Sequence, residues 1–168
     1  MQTTLNRIRA NGPCGIKPQP DGTLTGYLKL RAYVGEDYDP DAPIDLLMIL
    51  DSNGLNDALW CLRAVDVPER DIRRYALACA RRVEHLDKSG AATRCNDVHE
   101  RWLAGDATDE ELEAARDAAW AARDAAWGAA WDAAEDAEDA ERDYQTRLLK
   151  AWCETGDIQK AIEEMDNE

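Results

Sequence analysis

Two histidines and two cysteines lie close enough in the sequence to suggest a metal site. Cys79, His85, Cys95 and His99 could supply four ligands to a zinc ion. Their spacing argues against it, because neither a Cys-x-x-Cys pair nor a paired-histidine motif occurs and arginines crowd Cys79. His85 falls near a helix end, where the dipole favours a cation. Acid pairs such as Asp136 and Asp139 could act as general acid and base, but that role needs a pocket able to shift their pKa values. Their neighbours are alanines on a helix surface. Cys14 sits in a glycine- and proline-rich loop and is read as an incidental thiol. With no glycine-rich phosphate loop, nucleophile elbow or HExxH motif, the expectation is a non-enzymatic protein with no cofactor and no metal.

The elements around these residues are helical. After a short helical start at 4–9, residues 10–23 form a loop rich in proline and glycine, and 26–35 is assigned to helix. The acidic linker 36–43 leads to an apolar run at 44–50, read as a helix with Pro43 at its first position and Asp41 as cap. Leu55, Ala58, Leu59, Leu62 and Val65 recur at threes and fours and define a buried face. The next helix spans 69–86, with Ile72, Tyr75, Ala76, Cys79, Val83 and Leu86 on one stripe. Another carries Cys95, Val98, Trp102 and Leu103 and ends at Gly105. Thr108 lies three residues before Glu111, the spacing of a capping box.

From Thr108 to Cys153 alanine dominates and proline is absent, which predicts a long helix, about 69 Å at roughly 1.5 Å per residue if continuous. Leu112, Ala115, Ala119 and Ala122 begin a small-residue stripe that runs on to Tyr144, Leu148 and Ala151. Trp120, Trp127 and Trp131 share the neighbouring sector, with Leu149 and Trp152 continuing it. With six tryptophans and no phenylalanine, the row is first read as core, filling volume that alanine leaves empty. The acids Asp132, Glu135, Asp136, Glu138, Asp139, Glu141 and Asp143 face only Arg142 within 132–143, so that stretch is expected to be solvated. Thr155-Gly156-Asp157 starts a short amphipathic helix.

The fold expected is therefore all-α in one structural domain. A loop-rich segment occupies 1–43, a small bundle 44–105, a long alanine- and tryptophan-rich acidic helix 106–153 and a short carboxy-terminal helix 154–168.

Charge narrows the function. Of a net −15, residues 1–108 contribute sixteen acids against fourteen bases, and 109–168 nineteen against six. An acidic surface repels nucleic acid and anionic membrane, so a protein with a basic surface is the natural partner. Five cysteines at irregular spacing, an amino terminus without an apolar signal core and the lack of any long apolar run point to a reduced, cytoplasmic chain.

The stretch DIRRYALACARRVEHL, followed by HERWLAGDATDEELEAARDAAWAARDAAW, resembles the helical module of uncharacterised bacterial and phage proteins often labelled immunity proteins. MQTTLNRIRANGPCG with SNGLNDALWCLRAV is similar to small phage-encoded members of that group. The resemblance implies an all-helical protein with no catalytic residues to carry over, and antagonism of a toxin or host defence enzyme. This chain departs from the group in its wealth of aspartate and glutamate.

Together these readings predict an inhibitor of a basic or nucleic-acid-handling effector. It would be of immunity or anti-CRISPR type and act by acidic mimicry of nucleic acid through 132–143, with Trp120, Trp127 and Trp131 as anchors. The competing expectation is an assembly module that forms a homodimer through the alanine stripe.

Overall fold

The computed structural model describes the backbone of residues 1–126 and 131–167, and side chains for 1–122 and 138–167. The expected fold class holds, since among the described residues the only β structure is one ladder of two residues per strand. The chain divides into two compact units, 1–68 with 153–156 and 69–152 with 157–168. The division falls at Pro68–Glu69, inside the span 44–105 that the sequence groups as one bundle.

In unit 1, β1 (Gln2–Thr3) and β2 (Ile44–Asp45) pair antiparallel, with Gln2 opposite Asp45 and Thr3 opposite Ile44. Thr3 is buried, and its hydroxyl donates to the Ala64 carbonyl at 2.6 Å, so the group is not left unsatisfied. Helix α1 (Leu5–Ala10) starts at Thr4, whose hydroxyl accepts from the Arg7 N–H at 3.1 Å. Next comes α2 (Gly26–Val34).

The predicted helix at 44–50 begins later than its apolar pattern suggests. Ile44 and Asp45 are extended in the ladder, and α3 runs Leu46–Asn53. Its cap is Asp45, which accepts from the Leu47 N–H at 3.0 Å, and not Asp41, which accepts from the Asn6 side-chain amide at 2.9 Å. A strand pairing that joins residues 41 and 43 positions apart overrides the local signal. After α3 comes α4 (Leu55–Cys61). Leu5, Ile8, Leu30, Ile44, Leu46, Ile49 and Ala58 form the core of this unit.

Unit 2 contains α5 (Glu69–Val83), followed by a 3-10 turn at Glu84–Leu86, then α6 (Ala91–Ala104), α7 (Asp109–Ala126), most of α8 (Trp131–Thr155) and α9 (Ile158–Asp166). Helix α5 packs against both α6 and α9, and α6 packs against α7. The double packing of α5 explains a departure from its predicted stripe. Tyr75, Leu77 and Cys79 are buried, whereas Ala76 and Leu86 are exposed. Two neighbours cover two faces, and a single stripe cannot describe that.

Arg81 ties α5 to α6. Its guanidinium meets Glu84 at 3.0 Å, Asp97 at 2.9 Å and Glu100 at 2.7 Å, while the buried Asn96 amide donates to Glu84 at 2.8 Å. Helix α9 is capped as its sequence implies, with the Asp157 carboxylate accepting from the N–H groups of Gln159 at 2.9 Å and Lys160 at 3.3 Å.

Candidate functional site

Helix α7 is built outward from its first turn. Thr108 Oγ1 accepts from the Glu111 N–H at 3.2 Å, and Glu111 Oε2 accepts from the Thr108 N–H at 2.8 Å, so the capping box is complete. Asp109, Glu110 and Glu111 place three acids in the first turn, where the helix dipole favours negative charge. Asp109 also accepts from the Trp102 indole N–H at 2.6 Å, tying this turn to α6.

Leu112 is buried, and Ala115, Ala119 and Ala122 are half-buried, so in α7 the small-residue stripe is the covered side. Glu113, Asp117 and Trp120 are exposed. Trp120, read from the sequence as core, is 60% exposed. The core role falls instead to Trp152, at 1%, which continues the same predicted row.

The four described acids of the 132–143 stretch separate into two groups. Glu138, Asp139 and Asp143 are exposed, with Glu138 4.0 Å from Arg142 and Asp143 3.1 Å from Arg147. Glu141 is drawn inward, 14% exposed and 3.4 Å from Arg82, whose guanidinium lies 4.0 Å from the Tyr144 ring centroid. The expectation that this stretch is solvated all round is therefore corrected at Glu141, because an arginine from α5 reaches it. The side chains of Trp127, Trp131, Asp132, Glu135 and Asp136 lie outside the described residues.

Unit 2 also has an open groove lined by Arg74, Arg82, Leu103, Tyr144 and Ile162 among others. It has three arginines on its walls, each paired with at least one carboxylate. Arg74 pairs with Asp71 at 2.8 Å, Arg82 pairs with Glu141, and Arg81 holds three carboxylates. Burial works against the Arg81 charge, and the hydrogen bonds it donates to Asp97, Glu84 and Glu100 outweigh it, raising its pKa. The Asn96 amide, then Arg81, hold Glu84 below the usual carboxylate range.

Nearby groups that could act as nucleophiles or acids are kept protonated. Burial pushes Cys79 up to about 12, and burial raises Tyr75, whose hydroxyl donates to the Gln145 carbonyl at 2.8 Å. Among the described residues, no three of His, Cys, Asp and Glu are grouped to hold a metal ion.

His99 stands apart, in a setting that no local sequence pattern marks. Its Nε2 is buried with no hydrogen-bond partner among the described residues. Burial lowers its pKa below 6.5, and Arg116 and Arg73 push in the same direction. The folded state therefore favours neutral imidazole. The stability this contributes is complete above about pH 6.5 and declines as the pH falls toward the lower folded value. The thermal stability of the wild type is expected to fall between about pH 7 and pH 5 more steeply than that of His99→Leu. Parallel pH profiles for the two proteins would show that His99 is not the group responsible.

Among the described residues no helix is long and apolar enough to cross a membrane. No protein family, curated protein or solved structure matches the chain.

Proposed function

We propose that this chain is a non-enzymatic binding protein that neutralises a basic or nucleic-acid-handling protein by covering its basic surface. The observation that carries this reading is Trp120, which is 60% exposed on the outer face of α7 beside Glu113 and Asp117. Tryptophan is enriched among the residues that dominate interface energies, and an exposed indole flanked by acids suits a partner with an apolar notch in a basic face. Glu138, Asp139 and Asp143 on α8 are a second set of exposed acids, and the net charge of −15 draws a basic partner in at long range. The acids stand in for nucleic-acid phosphates. The resemblance to immunity proteins is the ground for placing the partner among toxins and host defence effectors, as an anti-CRISPR protein would.

The test is affinity capture from the native host, followed by binding measurements on the purified partner. Reversal of three acids in E138K/D139K/D143K is expected to weaken binding by at least about tenfold at low salt and to flatten its salt dependence. Trp120→Ala is expected to cost about 2 kcal/mol. Helicity should stay unchanged, because each lost pair with Arg142 or Arg147 contributes only about 0.2–0.5 kcal/mol. Affinity equal to wild type in both variants would sink the proposal.

A further inference from the structure

Two of the five cysteines open onto one cleft in unit 1. Cys14 is exposed on the loop between α1 and α2, Cys61 is 4% exposed at the end of α4, and both line a cleft shared with Gly26, Asn53, Asp57 and Trp60. The backbone fixes this arrangement. The Tyr27 N–H donates to the Cys14 carbonyl and the Leu28 N–H to the Gly15 carbonyl, each at 3.1 Å, which pins the loop to the start of α2. Cys14 Sγ sits so close over Gly26 that a Cβ there would come within 3.0 Å of it. Across the cleft the Asn53 amide donates to the Gly26 carbonyl at 2.8 Å and to Asp57 at 2.7 Å, one turn before Cys61. The remaining cysteines lie elsewhere, with Cys79 and Cys95 in unit 2 and Cys153 not among the residues lining this cleft.

We infer that Cys14 and Cys61 are a thiol pair that a hydroperoxide converts to a disulfide. The exposed Cys14 meets the oxidant first. Its sulfur attacks the distal peroxide oxygen, the O–O bond breaks, and the products are a Cys14 sulfenic acid and an alcohol, or water from hydrogen peroxide. Cys61 Sγ then attacks the Cys14 sulfur. The S–O bond breaks, the departing hydroxide takes the Cys61 proton as water, and two thiols have been oxidised by one peroxide.

Burial, with Asp57 adding to it, pushes the Cys61 thiol up to about 12, so Cys61 is not the thiol that reacts with the oxidant first. The bond needs Cα atoms about 4.4–6.8 Å apart, so its formation requires Cys14 and Cys61 to meet within the cleft that both line. The product fastens the loop to α4.

The test is peptide mapping of the full chain after mild hydrogen peroxide treatment, alkylation of free thiols and tryptic digestion. The expected product is residues 10–29 joined to 32–63, lighter than the two free peptides by two hydrogens. Cys14 and Cys61 should be lost in equal amounts, several-fold faster than Cys79 and Cys95. In Cys61→Ala, Cys14 should instead accumulate as a sulfenic acid trapped by dimedone. Because that variant changes a buried site, the wild-type map carries the decision on its own. Cys14 sulfinic acid with Cys61 recovered as free thiol, a link from Cys14 to Cys153, or a link between chains would each overturn the inference.

Discussion

Trp152→Ala is expected to destabilise the protein by about 3–5 kcal/mol in chemical denaturation. Trp152 is among the largest fully buried side chains, at 1% exposure. Its ring stacks on Tyr75 with centroids 5.9 Å apart and planes 24° from parallel, an arrangement that adds about 0.5–1.5 kcal/mol to burial alone. Tyr75 cannot swing into the vacated space without giving up its hydrogen bond to the Gln145 carbonyl, so the cavity would stay largely open. Leu148 and Leu149, a turn earlier on α8, are both fully buried and closely held. Trp152→Phe keeps an aromatic partner for Tyr75 and should recover more than half of the loss. A cost below about 1 kcal/mol for the alanine variant would mean that the site collapses and that Trp152 is not the centre of this core.

Gly26→Ala is the second large effect, expected at about 3 kcal/mol or more. Gly26 has φ of +51°, a conformation that costs an L-residue about 1–2 kcal/mol. An added Cβ would also collide with the Cys14 carbonyl, which is backbone and cannot rotate away. Moving the loop aside breaks the bonds from Tyr27 and Leu28, worth about 1 kcal/mol each. Gly22 provides the control. It has φ of +83° with nothing near its would-be Cβ, so Gly22→Ala should show the conformational cost alone. Equal losses in the two variants would show that the close approach at Gly26 contributes nothing.

Much of the helix pattern was legible because its signals are local. The Thr108–Glu111 box, the helix start at 155–157 and the stop at Gly105 each depend on a few adjacent residues, and all three hold. Signals that depend on distant chain were not legible. Asp45 caps α3 in place of Asp41 because Ile44 and Asp45 pair with residues 2–3, and α5 buries Leu77 because α9 arrives from the far end of the sequence.

The candidate face shows the same division. Periodicity placed Trp120 and Trp152 in one row, but it reports which residues share a side and not which side is covered. Along that row Trp152 is enclosed and Trp120 is open. Glu141 was grouped with the solvated acids because nothing near it in the sequence marks Arg82 as its partner. His99 and the Cys14–Cys61 cleft gave no local signal, since each is created only by packing.

The membership of unit 1 has a consequence for how the protein is made. Its residues are 1–68 together with 153–156, so its amino-terminal part waits for a turn of helix that is synthesised more than eighty residues later. Burial pushes the thiol of Cys153, in that turn, up to about 11. Contacts spanning this much sequence slow folding, because loop closure must precede any gain from packing. During synthesis, residues 1–68 emerge well before their last packing partner, and for that interval the surface that the turn at 153–156 covers is open to chaperones and proteases.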